Sequence, residues 1–169
     1  MSADRDDLPL AVDRCDSDDM GDKASLTLRL LTPLLVPGAP IPKARFEALP
    51  DYGAAYESGP VPTVLLDPRT LSGTAHWPGP DATRSERIEC LVLLAVHELA
   101  HHRLAQFGEP VDDHGASFWT TCQRFAEILG MPAPADAEEA SRWPMSAFER
   151  GDGTARKILD RARRAAGRR

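Results

Sequence analysis

Residues 83–108 set the strongest constraint on what this chain can fold into. Thr83 with Glu86 three positions on forms a capping box, a pairing that satisfies backbone donors at a helix start. From there Ile88, Leu91, Val92, Leu94, Ala95, Leu99 and Leu104 lead to Gly108, a helix-ending residue. Apolar side chains cover most of the circumference, so this helix belongs at the buried centre of a domain. Yet it also carries His97, Glu98 and His101. Burying such groups unpaired costs on the order of several kcal/mol, and coordination of a metal ion offsets that cost. Two histidines four apart lie one helical turn apart on one face, where both imidazoles reach one ion and Glu98 stands beside the first.

Residues 115–129 predict a second helix. Phe118, Cys122, Phe125 and Leu129 recur at helical spacing, and Gly130 followed by Pro132 ends the run. One turn back from Phe118 stands His114, which continues the stripe expected to pack on the first helix and so becomes the third ligand. Glu109, Asp112 and Asp113 compete for that place from the intervening loop. His114 is favoured by its stripe position and by Gly115, which permits close backbone approach to the first helix. Asp112 or Asp113 is also a candidate to orient a ligand histidine through its other ring nitrogen. His102 points about 100° around the helix from His101, which places it behind the ligands or on the surface. His76 lies in the strand region, and nothing in its spacing requires it at the site.

Three neutral imidazoles with an open fourth position are a ligand set for catalytic zinc, which lowers the pKa of its water from ~15.7 towards ~7. Glu98 is then placed to accept the proton and pass it to a leaving amine. The expected cofactor is Zn2+ and the expected reaction is peptide-bond hydrolysis in protein substrates.

Composition narrows the setting. With 169 residues, 42% hydrophobic and 27% charged, the chain is one domain plus tails, large enough to bury a core without disulfide staples. Cys15, Cys90 and Cys122 are scattered with no Cys-x-x-Cys pair, which leaves histidines and carboxylates to hold any metal. There is no apolar run of membrane-spanning length, and the start of the chain is acidic where a secretory signal is basic and then apolar. A monomeric cytoplasmic protein without membrane contact is expected.

The net charge of −6 is unevenly spread: residues 1–22 hold eight aspartates, whereas 154–169 hold Arg156, Lys157, Arg161, Arg163, Arg164, Arg168 and Arg169 against Asp160. Residues 1–23 read as a disordered acidic tail. Leu26 to Leu35 suit a short helix or a strand, with Pro33 limiting a helix to the part before it. Ile41 to Leu49 is ambiguous. Tyr52 to Glu57, a Ser58-Gly59-Pro60 turn and Val61 to Asp67 predict a hairpin, and Leu71 to Trp77 suggests an irregular strand. Residues 131–153 read as a linker with Trp143, Pro144, Met145 and Phe148 as packing anchors. Residues 154–169 predict a basic helix whose stripe of Ala155, Ile158, Leu159, Ala162 and Ala166 docks on the domain. Its arginines are then solvated, or else contact a DNA phosphate backbone.

The run His97-Glu98-Leu99-Ala100-His101, followed by His114-Gly115-Ala116-Ser117-Phe118-Trp119 and closed by Ile128-Leu129-Gly130-Met131, resembles the SprT-like zinc metallopeptidases, which include the Spartan proteases acting on DNA-crosslinked proteins. The resemblance covers residues 84–131, with the 52–67 hairpin as a looser match to the family's small sheet. It implies an α+β zincin-like domain of the minigluzincin type over residues 24–130: a central HExxH helix, a second packing helix and a small β-sheet. It also implies His97, His101 and His114 as zinc ligands and Glu98 as general base. The chain departs from many members in having no cysteine zinc ribbon, so only the basic terminal helix remains for a DNA contact. Two other functions fit the same residues: a regulatory repressor-cleaving metallopeptidase, and a catalytically silent zinc-stabilised module that binds DNA or protein.

Overall fold

The computed structural model describes residues 17–50, 53–69, 81, 83–110, 113–147 and 154–168. His76, Asp112, Cys15, Phe148 and the strand expected over Leu71 to Trp77 lie outside the described residues. Within them the fold is mixed α+β. The order is α1 (Ser17–Leu35), β1 (Lys43–Phe46), β2 (Ala54–Glu57), β3 (Thr63–Leu66), α2 (Arg84–Gln106), α3 (Ala116–Leu129), α4 (Ala137–Arg142), a 3-10 turn (Met145–Ala147) and α5 (Thr154–Ala166).

Helix α2 is the centre. Thr83 and Glu86 form the reciprocal capping box at its start, and Gly108 follows its end with a φ of 71°, a left-handed conformation that favours glycine. Every residue from Glu89 through His102 is buried, so the helix contacts neighbours on all sides. Helices α1, α3 and α5 and strand β2 pack around it.

Helix α1 differs from expectation at both ends. It begins at Ser17, inside the span expected to be disordered, and it runs through Pro33 rather than stopping before it. Packing accounts for both. Met20, Ala24, Leu28, Leu31 and Leu35 form a buried stripe at spacings of three and four. An interior proline costs ~3 kcal/mol. Burial of Leu31 and Leu35 on either side of Pro33 returns roughly 1.5–3 kcal/mol each, enough to carry the last turn past it.

The sheet has the order β1-β3-β2. The expected hairpin is present as antiparallel β2 and β3, with Ala54 opposite Leu66 and Glu57 opposite Thr63. The ambiguous 41–49 segment supplies β1, parallel to β3 with Lys43 opposite Thr63. Among the described residues only β3 has partners on both sides, and its Val64, Leu65 and Leu66 are buried, the continuous apolar run such a strand needs. No helix among the described residues is long and apolar enough to cross a membrane.

The segment read as a linker contributes to the core. Trp143 is fully buried, and its indole Nε1–H donates to the Pro132 carbonyl at 3.0 Å. Helix α5 docks through Ala155, Ile158, Leu159 and Ala162, all buried. Glu89 of α2 accepts a hydrogen bond from the Ala155 amide at 3.2 Å, which satisfies an otherwise orphan donor at the start of α5.

Candidate metal centre

Three histidines from two helices meet at one point. His97 and His101 stand one turn apart on α2, and His114 arrives from the residues just before α3, whose start is Gly115 in extended conformation. One ligand nitrogen from each lies within 4.8 Å of the others. His101 Nε2 and His114 Nε2 are 3.1 Å apart. Nitrogens bonded at about 2.0–2.1 Å to a tetrahedral ion sit ~3.4 Å from one another, so small side-chain adjustments bring all three to a single ion. His97 and His101 are buried while His114 is exposed, so the cluster opens to solvent on one side.

Phe118 is the apolar floor. Its ring centroid lies 5.0 Å from that of His97, 4.5 Å from His101 and 4.7 Å from His114, and the residue is fully buried. The stripe that predicted α3 therefore also supports all three imidazoles, a role that helical spacing alone does not reveal.

His97 has a fixed tautomer. Its Nδ1–H donates to the Trp143 carbonyl at 2.7 Å, which leaves Nε2 with a free lone pair for a ligand. Burial pushes its pKa down to about 4, so the ring is neutral and metal-competent across the physiological range. Trp143 is the contributor that sequence reasoning missed. It lies 46 positions from His97, and a carbonyl carries no residue-type signal; only its apolar side chain marked it as an anchor.

Glu98 is buried at 3% exposure, and desolvation pushes its carboxyl up to about 8. Its position beside His97 on α2 is as the sequence places it, and it is not one of the clustered metal-type groups.

His102 is neither on the surface nor among the ligands. It is fully buried, its Nε2–H donates to the Pro40 carbonyl at 2.8 Å, and its Nδ1 accepts from the Tyr56 hydroxyl at 2.9 Å. It ties the end of α2 to β2 and to the chain leading into β1, and burial lowers its pKa. Gly115 also has a different reason from the one expected. A Cβ there would lie 2.9 Å from the Asp113 carboxylate, so the missing side chain makes room for Asp113, not for α2. Among the described residues neither Asp113 nor Glu109 joins the histidine cluster.

The residues fit a metal ion on donor chemistry: three imidazoles, one with its tautomer set for coordination, gathered over an aromatic floor with an open side. Comparison of the chain with protein-family models, with curated proteins and with solved structures finds no match.

Proposed function

We propose that this protein is a zinc-dependent endopeptidase of the zincin-like type, with His97, His101 and His114 holding the ion and Glu98 acting as general base. The observation that carries the reading is the convergence of the three imidazoles, their ligand nitrogens within 4.8 Å of one another, with an acid directly following the first of them. When bound, zinc supplies Lewis-acid chemistry that polarises a carbonyl and makes water nucleophilic near neutral pH.

The chain's own groups perform the remaining work. His97 is held by the Trp143 carbonyl so that its Nε2 faces the cluster without tautomeric exchange. Beside a bound cation, whose charge favours the ionised carboxylate over the buried neutral form, Glu98 would take the proton of the attacking water and deliver it to the amine of the broken peptide bond, so that proton and electron pair both end on the leaving group. The exposed side at His114 leaves the cluster open to a substrate, whereas the side at His97 and Phe118 is buried from bulk water. The substrate class of this proposal is protein.

Retention of an acid beside the first ligand favours an enzyme over a silent zinc-stabilised module, since a purely structural site needs no base. The test measures zinc content and cleavage of an unfolded protein substrate together. Wild type is expected to hold one zinc per chain and to cleave. Glu98→Gln should keep the zinc and lose at least ~100-fold in activity, and His114→Ala should lose zinc. A purified protein without stoichiometric zinc, or an active Glu98→Gln variant, overturns the proposal.

A further inference from the structure

A second site lies far from the histidines. Leu34 of α1, Ile128 of α3, Arg161, Arg164 and Ala165 in the C-terminal half of α5, and Arg168 just past its end line a cleft of about 430 Å³. Ile128 is near the far end of α3 from His114, and fourteen residues at 1.5 Å each put the cleft ~20 Å from the metal centre.

Arg161 and Arg164 sit at i and i+3 on one face of α5, and Arg168 follows in the turn after the helix. Adjacent like charges on a helix face repel one another, and interleaved acids would relieve that repulsion. Here the opposite face of α5 is already committed to the core through Ile158, Leu159 and Ala162. Among the described residues the ion pair on α5 is that of Arg163 with Asp160 at 3.8 Å, which does not involve the cleft arginines. All three cleft arginines are exposed. The cleft thus combines three arginines with apolar lining from Leu34, Ile128 and Ala165.

We propose that this cleft binds an organic polyphosphate of nucleotide type, its phosphates on Arg161, Arg164 and Arg168 and its apolar body against Leu34 and Ile128. Guanidinium forks match phosphate oxygens bidentately, which makes arginine the residue for this recognition. The volume falls in the ~300–1,000 Å³ range of small-molecule sites. A nucleic-acid strand is disfavoured on two counts. Phosphodiester backbones are met by open basic surfaces that need no apolar recess. A long polyanion also feels the whole chain, whose net charge is −6, whereas a small ligand feels the local arginine field. The site is independent of the metal centre and of any reading of it.

The test is titration calorimetry on the full chain in EDTA, so that the histidine cluster holds no metal that could bind phosphate. The probes are ATP, inorganic tripolyphosphate and a short DNA duplex. Saturable ATP binding is expected, tighter than tripolyphosphate, weakened by salt and reduced at least ~tenfold in Arg164→Gln/Arg168→Gln. Those side chains are exposed, so the variant is expected to unfold at the wild-type temperature, which a thermal melt checks. Absent ATP binding, or equal ATP binding by the variant, overturns the site. Tripolyphosphate binding as tight as ATP removes the apolar body from the proposal and leaves free phosphate as the ligand class. Tighter binding of the duplex, lost in the same variant, replaces the proposal with a nucleic-acid contact.

Discussion

Glu98 makes the stability of the metal-free protein depend on pH in a direction that can be worked out in advance. Its carboxyl is raised from the usual 4.5 to about 8 by burial. Above about pH 4.5 the unfolded chain releases this proton while the folded chain keeps it, so stability falls as pH rises until the folded carboxyl ionises near 8. His97 acts in the opposite sense. Its pKa is lowered from 6.5 to about 4, so between those values the unfolded chain binds a proton that the folded chain refuses, and stability rises with pH. The two slopes oppose each other up to pH 6.5. Beyond it the His97 contribution is constant, and Glu98 changes stability by about 1.4 kcal/mol per pH unit. Glu98 should therefore cost the metal-free wild type about 2 kcal/mol between pH 6.5 and 8. Glu98→Gln removes the titrating group with little change of shape, so its stability relative to wild type should grow by about 4 kcal/mol from roughly pH 5 to pH 8. Urea denaturation of EDTA-treated protein, wild type and variant in parallel, measures the difference directly, since every other group titrates alike in both. Parallel pH profiles would refute the reasoning, for they would mean that the Glu98 carboxyl is solvated in the folded state.

Two further substitutions probe the supports of the cluster. Trp143→Ala empties a fully buried site, with an expected loss of about 3–5 kcal/mol of stability. By loosening the carbonyl that holds His97 Nδ1, it should also weaken zinc affinity by roughly 10–100-fold in protein that is still folded. Chelator competition reads the affinity, and an unchanged value in folded variant would show that the carbonyl does not orient His97. Tyr56→Phe deletes the donor to the buried His102 Nδ1, and a loss of about 1–3 kcal/mol is expected in urea denaturation. Zinc content should survive that change, because His102 is not among the clustered histidines.

The sequence by itself determined the elements whose causes are local. The Thr83 and Glu86 capping box, the left-handed Gly108 and the apolar circumference of α2 are read from neighbouring residues, and the helix forms where they place it. The same holds for His97 and His101, because helical periodicity converts spacing directly into a shared face, whereas His114 joins them only through the packing of α3 on α2. The hairpin of β2 and β3 was legible from its turn and its apolar run.

What only the tertiary structure decided are contacts between distant segments. β1 gains its strand from pairing with β3 across intervening sequence, and α1 passes Pro33 because Leu31 and Leu35 have a core to enter. The angle of His102 on the helix placed it behind the ligands or on the surface, and packing settles it as fully buried, bonded to Pro40 and Tyr56. The carbonyl of Trp143 sets the tautomer of His97 from a segment that reads as a linker. Backbone carbonyls are the same in every residue, so no residue type announces them; their roles exist only once the chain has folded and brought one to within 2.7 Å of an imidazole.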